Sequence, residues 1–176
     1  DQILQEMRAD YWNNLEAIED AGGNHGTEFL IVRYGDKHYG LPAACCREVL
    51  KLPRLIRVPR LPEHLRGIFN LRGEIVAATD LRPLLGHSER EIEDSFRLVV
   101  VESGPIKTAL LVGAVEALTR IDDCRVEPLA EGAGGGIRDL ISGKVVEEQR
   151  IIFLLDLTRL LTRPEMIVEQ KEPAQA

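Results

Sequence analysis

The stretch "GIFNLRGEIVAATDLRPLLG", Gly67 to Gly86, decides the fold. Two largely apolar runs flank the pair Arg72–Gly73, and a lone carboxylate, Asp80, ends the second run. Such runs around a glycine-containing pair predict two antiparallel strands joined by a tight turn. Gly73 is then a turn residue that can adopt positive φ. The residues after Asp80 predict a short helical turn that this carboxylate caps.

The same pattern returns near the end of the chain. The segment "RIIFLLDLTRLL" aligns without gaps on "EIVAATDLRPLL", so that Asp156 matches Asp80. Earlier, "YGDKHYGLP" and "ESGPIKTALL" also occupy similar places. The repeat predicts that the two halves of the chain form similar β-units of about five strands each. Units this small bury little surface alone, so we expect them to share a core.

The composition is that of an ordinary globular protein. Of the 176 residues, 44% are hydrophobic and only 5% are aromatic, which predicts an aliphatic core. The net charge of −7 argues against general affinity for nucleic acid. No apolar run approaches the roughly 20 residues that cross a membrane. Cys45, Cys46 and Cys124 form no C-x-x-C motif, which favours a reducing, cytoplasmic setting over a disulfide framework or zinc site.

No catalytic constellation is visible. The repeated aspartates are better explained as caps than as a glycosidase-like pair, which would have to converge on one cleft. There is no G-x-S-x-G motif, and the two adjacent cysteines are best explained as small apolar residues. Gly73 is followed by Glu74 and a strand, so the glycines form no P-loop. We therefore expect no catalytic residue, no metal and no cofactor.

The two ends of the chain predict less. Apolar residues at three- and four-residue steps predict a helix over residues 3–20, and "AGGNHG" ends it. A helix packed on its own domain and a linker from a longer protein fit equally well. The expected organisation is a helix and linker over 1–27, a main domain over 28–163 and a disordered tail over 164–176.

One run of positive charge stands out in this acidic chain. Its only acid is Glu63, and its cations are Lys51, Arg54, Arg57, Arg60, Arg66 and Arg72. A nucleic-acid patch usually interleaves aromatic residues with such a run, and only Phe69 is near. Docking of an acidic protein and a merely solvated face remain equal alternatives, with nucleic acid less favoured.

The segments "YGLP", "CREVLKL" and "LIRVPRLPEHLRGIFNLRGEIVAATDLRPLLG", with the later "ALLVGAVEAL" and "IIFLLDLTRLL", resemble the CheW-like domain family over about residues 28–163. The resemblance implies a mainly β fold of two packed, five-stranded SH3-like β-barrels. An extra N-terminal helix and a short C-terminal helix would complete the chain. It also implies a non-catalytic adaptor in chemotaxis signalling. Such an adaptor couples the cytoplasmic tips of chemoreceptors to a CheA-type histidine kinase, within cytoplasmic arrays bound to membrane receptors.

The resemblance also implies which residues dock partners. Glu48 and Arg72 match a charged pair of the receptor-binding groove, whose expected residues are Leu41, Cys45, Cys46, Glu48, Val49, Gly67, Asn70, Leu71 and Arg72. The expected kinase contacts are Val112, Ala114 and Val115, and other CheW-like domains are further possible partners. Gly113 stands where the family has an aspartate, and Ala77–Ala78 where it has Pro-Val. These departures leave open a main chemotaxis adaptor, a pilus-motility copy or part of a larger array-organising protein.

Overall fold

The computed structural model describes residues 3–8, 26–87, 91–129 and 136–163. Residues 3–8 form helix α1. The strands of the described residues are β1 (Thr27–Tyr34), β2 (Lys37–Pro42), β3 (Cys46–Lys51), β4 (Leu65–Leu71), β5 (Glu74–Asp80), β6 (Arg97–Ser103), β7 (Ile106–Val112), β8 (Ala114–Ile121), β9 (Ile141–Glu147) and β10 (Arg150–Leu155). Helix α2 (Leu157–Leu161) follows, and 3₁₀ turns cover Ala43–Cys45, Asp123–Arg125 and Gly136–Leu140.

The strands form two sheets of five strands each. Sheet A has the order β8-β1-β2-β10-β9, and sheet B has the order β3-β6-β7-β5-β4. Each sheet contains one parallel pair, β10 with β2 and β5 with β7, and its other pairs are antiparallel. The predicted mainly β fold is confirmed.

The repeat is real, but its units are not the two halves of the chain. Each sheet combines a hairpin from one half with a run of three strands from the other: β1–β2 with β8–β10, and β6–β7 with β3–β5. Strands at the same place in the two sheets are the equivalent ones, which include β5 and β10. The division into halves was therefore wrong. Sequence similarity shows which strands are equivalent, whereas pairing depends on which apolar faces and edges meet.

Both sheets are open, where closed barrels were expected. In the described residues no ladder joins the edge strands β3 and β4 of sheet B, or β8 and β9 of sheet A. Instead, one isolated β-bridge in each sheet connects the segment after one edge strand to the other edge strand. Ile56, after β3, exchanges two backbone hydrogen bonds with Ile68 of β4, at 2.8 and 2.9 Å. Glu127, after β8, does the same with Lys144 of β9, at 2.8 and 2.9 Å.

A shared aliphatic core joins the two sheets. Its largest cluster includes Leu30 and Val32 of β1, Val99 of β6 and Leu110 of β7, none of them measurably exposed. Two smaller clusters each belong to one sheet, and we call them the sheet A cluster and the sheet B cluster. Burying each such side chain contributes roughly 1.5–3 kcal/mol. The expectation of a shared core without many aromatic residues is confirmed.

Helix α1 packs on the domain. Leu4 is 1% exposed within the shared core, and Ile3 and Met7 pack against the same cluster. The Arg8 guanidinium donates to the Ala43 carbonyl at 3.3 Å. These contacts favour the packed helix over the free linker for this segment. Residues 9–20 of the predicted helix, most of the linker and the 164–176 tail lie outside the described residues.

The two repeated aspartates cap the turns that follow their strands. Asp156 Oδ1 accepts a hydrogen bond from the Arg159 backbone N–H at 3.0 Å at the start of α2, as predicted. Asp80 Oδ1 accepts the Arg82 backbone N–H at 3.0 Å. Asp80 has a second role that the sequence pattern did not predict. Its carboxylate is fully buried between the guanidinium groups of Arg66, at 3.0 Å, and Arg82, at 2.7 Å.

Candidate docking surface

The predicted turn between β4 and β5 is present, with an unusual backbone. Its two central residues both have positive φ, 48° at Arg72 and 90° at Gly73, as in the tight turns that join twisted strands. The Asn70 side-chain oxygen accepts the Gly73 N–H at 2.8 Å. Glycine tolerates such a backbone, whereas arginine adopts it at an energetic cost. The turn therefore holds the Arg72 backbone in an unfavourable conformation.

Arg72 reaches across the end of sheet B to Glu48. Its guanidinium donates a hydrogen bond to Glu48 Oε2, which raises the pKa of Arg72 through that bond and the carboxylate charge. Arg72 lies at the tip beside edge strand β4, and Glu48 lies on the opposite edge strand, β3. The pair thus links two edges that no ladder of the described residues joins. The predicted charged pair is brought together by this geometry.

The two partners differ greatly in exposure. The Arg72 side chain is 62% exposed, whereas that of Glu48 is 10% exposed. Glu48 Oε1 is buried and has no hydrogen-bond partner among the described residues. An unsatisfied buried acceptor costs free energy, and the ion pair with Arg72 has to offset that cost. The surface itself presents the guanidinium N–H groups of Arg72, and the Glu48 carboxylate lies beneath them.

The remaining predicted groove residues divide by burial. Asn70 is exposed and Cys45 is half-buried, so both can be touched. The others are buried beneath them: Leu41, Cys46, Val49, Gly67 and Leu71. Burial raises the pKa of the Cys46 thiol to about 12, and it also raises that of Cys45, so both thiols stay protonated at neutral pH. The buried residues support the surface and offer a partner no area of their own.

The predicted kinase contacts lie at the junction between β7 and β8. Val112 is fully buried, while Ala114 and Val115 are half-buried. Gly113, between them, approaches the neighbouring strand closely: a Cβ there would lie 2.7 Å from the Arg33 carbonyl oxygen. A side chain at this position would clash with that oxygen, so this backbone requires glycine.

The equivalent tip of sheet A carries a charge network that the sequence did not predict. Arg150 pairs with Glu147 at 3.1 Å and with Glu116 of β8 at 3.6 Å. Glu116 Oε1 also lies 2.7 Å from His38 Nε2. Arg150 therefore also reaches the opposite edge strand, although its position in the repeat differs from that of Arg72. The alignment of the two hairpins was the signal that could have revealed it.

Two further classes of site are not found in the part of the chain that the structure describes. No group of three or more His, Cys, Asp or Glu residues could hold a metal ion there. Nor does any described helix have the length and apolar character to span a membrane.

Fold and site together define a class of two-sheet β protein with an exposed, arginine-bearing hairpin tip. Residues 28–165 match the CheW-like domain, and the chain belongs to that family. It is 26% identical over 146 residues to chemotaxis protein CheW of Klebsiella aerogenes, which covers 83% of this chain and 88% of the relative. It is 31% identical over 137 residues to protein FrzA of Myxococcus xanthus, covering 76% and 84%.

A solved structure agrees with this assignment. The crystal structure of scaffolding protein TtCheW from Thermoanaerobacter tengcongensis superposes with a TM-score of 0.70 at 26% identity. The match covers 80% of this chain and 95% of that protein. The predicted family is therefore confirmed by both sequence and structure.

Proposed function

We propose that this protein is a non-catalytic adaptor that couples chemoreceptor cytoplasmic tips to a CheA-type histidine kinase in cytoplasmic signalling arrays. The names of its relatives support a role in chemotaxis, and the solved neighbour is a scaffolding protein. The observation that carries the proposal is the Glu48–Arg72 pair on a strained hairpin tip. Backbone strain concentrates at functional sites, where surrounding structure maintains it.

The pair suits recognition of a helical receptor tip. A guanidinium offers five N–H donors in a planar fork, so Arg72 can bind Glu48 and still donate to a partner carboxylate or carbonyl. Because the Glu48 carboxylate already holds the Arg72 guanidinium, that side chain loses less freedom when a partner binds. Apolar residues of the receptor helix would lie against the adjacent surface, as in other helix-in-groove complexes.

The predicted site residues take two roles in this proposal. Cys45, Asn70 and Arg72 touch the receptor, and Glu48 holds the Arg72 guanidinium in position from beneath. Buried residues maintain the surface from below: Leu41, Cys46, Val49, Gly67 and Leu71. On the kinase side Ala114 and Val115 make contact, and Val112 supports them. Each interface is modest, and an array gains strength because many such contacts act together.

A reconstitution experiment tests this function. Receptor cytoplasmic tips are displayed on vesicles, kinase is added with or without the full chain, and kinase that sediments with the vesicles is measured. The wild-type chain is expected to bring the kinase down, and Arg72→Glu is expected to reduce the amount by about tenfold, as loss of an interface hot spot does. Arg150→Glu makes the same charge change at the equivalent tip and serves as the control. Undiminished recruitment by a folded Arg72→Glu chain would contradict the proposal.

A further inference from the structure

The segment that begins at Lys51, the last residue of β3, and runs toward β4 repeats a cation and an aliphatic residue every three positions. In "KLPRLIRVPRL" each cation is followed one or two positions later by an aliphatic residue. The four cations are exposed: Lys51, Arg54, Arg57 and Arg60. The aliphatic residues that share the three-residue spacing are half-buried: Leu52, Leu55, Val58 and Leu61. We call the four cations the basic ridge.

The backbone keeps the basic ridge facing solvent. Leu52 and Leu55 pack against the sheet B cluster, which orients the segment. The hydrogen-bonded bridge between Ile56 and Ile68 ties its middle to β4. Prolines at 53, 59 and 62 restrict both their own φ and the conformation of the preceding residue. A ligand of the ridge therefore meets cations on an already ordered segment.

Arg60 has the same unusual backbone as Arg72. Its φ is 67°, and Pro59 precedes it in the turn. Proline followed by a residue of positive φ is the pattern of a type II turn, in which glycine is preferred at the second position. Among the described residues, Arg60 and Arg72 are the non-glycine residues with positive φ. Retaining arginine at such a position indicates that its side chain has a use.

The basic ridge has no internal counter-charge. Within the described ranges none of its four side chains makes a hydrogen bond or ion pair, whereas Arg47, Arg72 and Arg150 all do. The chain as a whole carries a net charge of −7, so this positive strip is a local exception. An acidic partner is therefore attracted to the basic ridge more strongly than to the rest of this acidic surface.

We propose that the basic ridge binds a short, extended acidic segment of a partner protein, with an aliphatic residue of that segment seated on Ile56. Ile56 lies within the ridge and is 62% exposed, which offers an apolar contact between the charges. The basic ridge shares no residue with the Glu48–Arg72 pair, and the inference does not rest on the proposed function.

Neighbouring residues favour a peptide over nucleic acid. The aromatic residue closest in sequence, Phe69, is 4% exposed and offers no platform for stacked bases. The loop that follows sheet B's β5 carries exposed Glu91, Glu93 and Asp94, and its Ile92 packs on the same sheet B cluster as Leu52 and Leu55. A long polyanion would be repelled by those carboxylates, whereas a short peptide can avoid them.

Fluorescence anisotropy with the full chain tests the inference. The probe is a labelled peptide of sequence EEIEELEE, and a peptide with glutamine at each glutamate is its neutral counterpart. Arg54→Gln/Arg57→Gln is expected to weaken binding of the acidic peptide by roughly five- to tenfold, because each exposed ion pair contributes modestly. Lys37→Gln/Lys144→Gln removes the same charge from sheet A and is expected to change the affinity less than about twofold.

Arg60→Gly separates a binding role from a structural one. Glycine suits positive φ, so the variant is expected to unfold at the same temperature or higher while binding the peptide about two- to threefold more weakly. The proposal is overturned by any of three results. These are equal binding of the neutral peptide, equal loss in the sheet A control, or tighter binding of oligothymidylate or phosphatidylserine vesicles than of the acidic peptide.

Discussion

The two equivalent hairpin tips of this molecule use the same scaffold differently. Between β4 and β5 the tip is Arg72–Gly73, with positive φ at both residues and an ion pair to a largely buried carboxylate. Between β9 and β10 the tip is Glu148–Gln149, and neither residue has positive φ. Arg150 beside it shares its charge with carboxylates that are 26% and 29% exposed.

The difference between the tips shows that a repeated fold does not carry a repeated function. At both tips an arginine side chain reaches the opposite edge strand of its sheet and forms an ion pair there. An arginine at either tip therefore helps to hold the two edges of the sheet together. Only the first combines a strained arginine with an unsatisfied buried acceptor, Glu48 Oε1, within the described residues. A self-sufficient ion network such as that of Arg150 has less to gain from a partner. We therefore propose that receptor docking takes place at the first tip.

The largest expected effect contrasts the two repeated aspartates. Asp80→Ala would leave Arg66 and Arg82 without the buried carboxylate between them, and loss of one buried partner typically costs about 3–5 kcal/mol of unfolding free energy. Asp156→Ala removes a helix cap, which is worth about 1 kcal/mol. Urea denaturation measures both. Equal losses of unfolding free energy in the two variants would contradict the additional buried role of Asp80.

Acid titration sharpens the same contrast. Burial alone would raise the pKa of Asp80, but hydrogen bonds from Arg82 and Arg66 outweigh it and hold that pKa below its usual range. The unfolded chain therefore binds this proton more readily, and the stability from Asp80 is fully present above the unfolded pKa of about 3.9. It is lost as the pH falls through the folded pKa. The stability gap between wild type and Asp80→Asn should be constant near neutrality and shrink below about pH 4; a gap that grows in acid would contradict it.

A smaller effect distinguishes the two strained arginines. Arg60→Gly relieves the backbone and removes no hydrogen bond or ion pair of the described residues, so unfolding free energy is expected to rise by about 1 kcal/mol. Arg72→Gly relieves similar strain but leaves Glu48 buried without its cation, so it is expected to gain less or to lose stability. Chemical denaturation of both variants decides the order, and a larger gain for Arg72→Gly would refute the structural value of the pair.

The smallest expected effect is a change in thiol alkylation. Cys124 is exposed, Cys45 is half-buried and Cys46 is buried, so iodoacetamide should modify them in that order. Saturating receptor tip is expected to slow modification of Cys45, which lies on the proposed docking surface, and to leave Cys124 unchanged. Mass spectrometry of quenched samples reads out each site. Protection of Cys124 alone would move the docking surface to sheet A.

Much of the fold could be predicted because the patterns are local. The alternating apolar runs, the turn at Gly73 and the cap at Asp156 each depend on residues a few positions apart. The exchange of hairpins between sheets could not be predicted, since the apolar pattern within a strand does not specify which other strand it pairs with. The barrels implied by family resemblance are open sheets here, because single bridges at Ile56 and Glu127 stand where full ladders would close them.

The candidate site was predicted by residue but not by geometry. Motif matching identified Glu48 and Arg72, while the positive φ of Arg72 and the buried free oxygen of Glu48 required three-dimensional structure. Burial of Leu41, Cys46 and Val49 also has no local signal, since aliphatic residues suit a groove and a core equally. The Asp80–Arg66 ion pair was missed because Arg66 lies on a neighbouring strand and not in the turn that Asp80 caps.

The asymmetry of the two tips is tested most directly by titration calorimetry with a receptor-tip peptide. Arg72→Ala and Arg150→Ala remove the same side chain from the two tips and are compared with the wild-type chain. The account predicts that Arg72→Ala weakens binding by about tenfold or more, whereas Arg150→Ala changes it less than about twofold. Equal losses for the two folded variants, or a larger loss for Arg150→Ala, would contradict it.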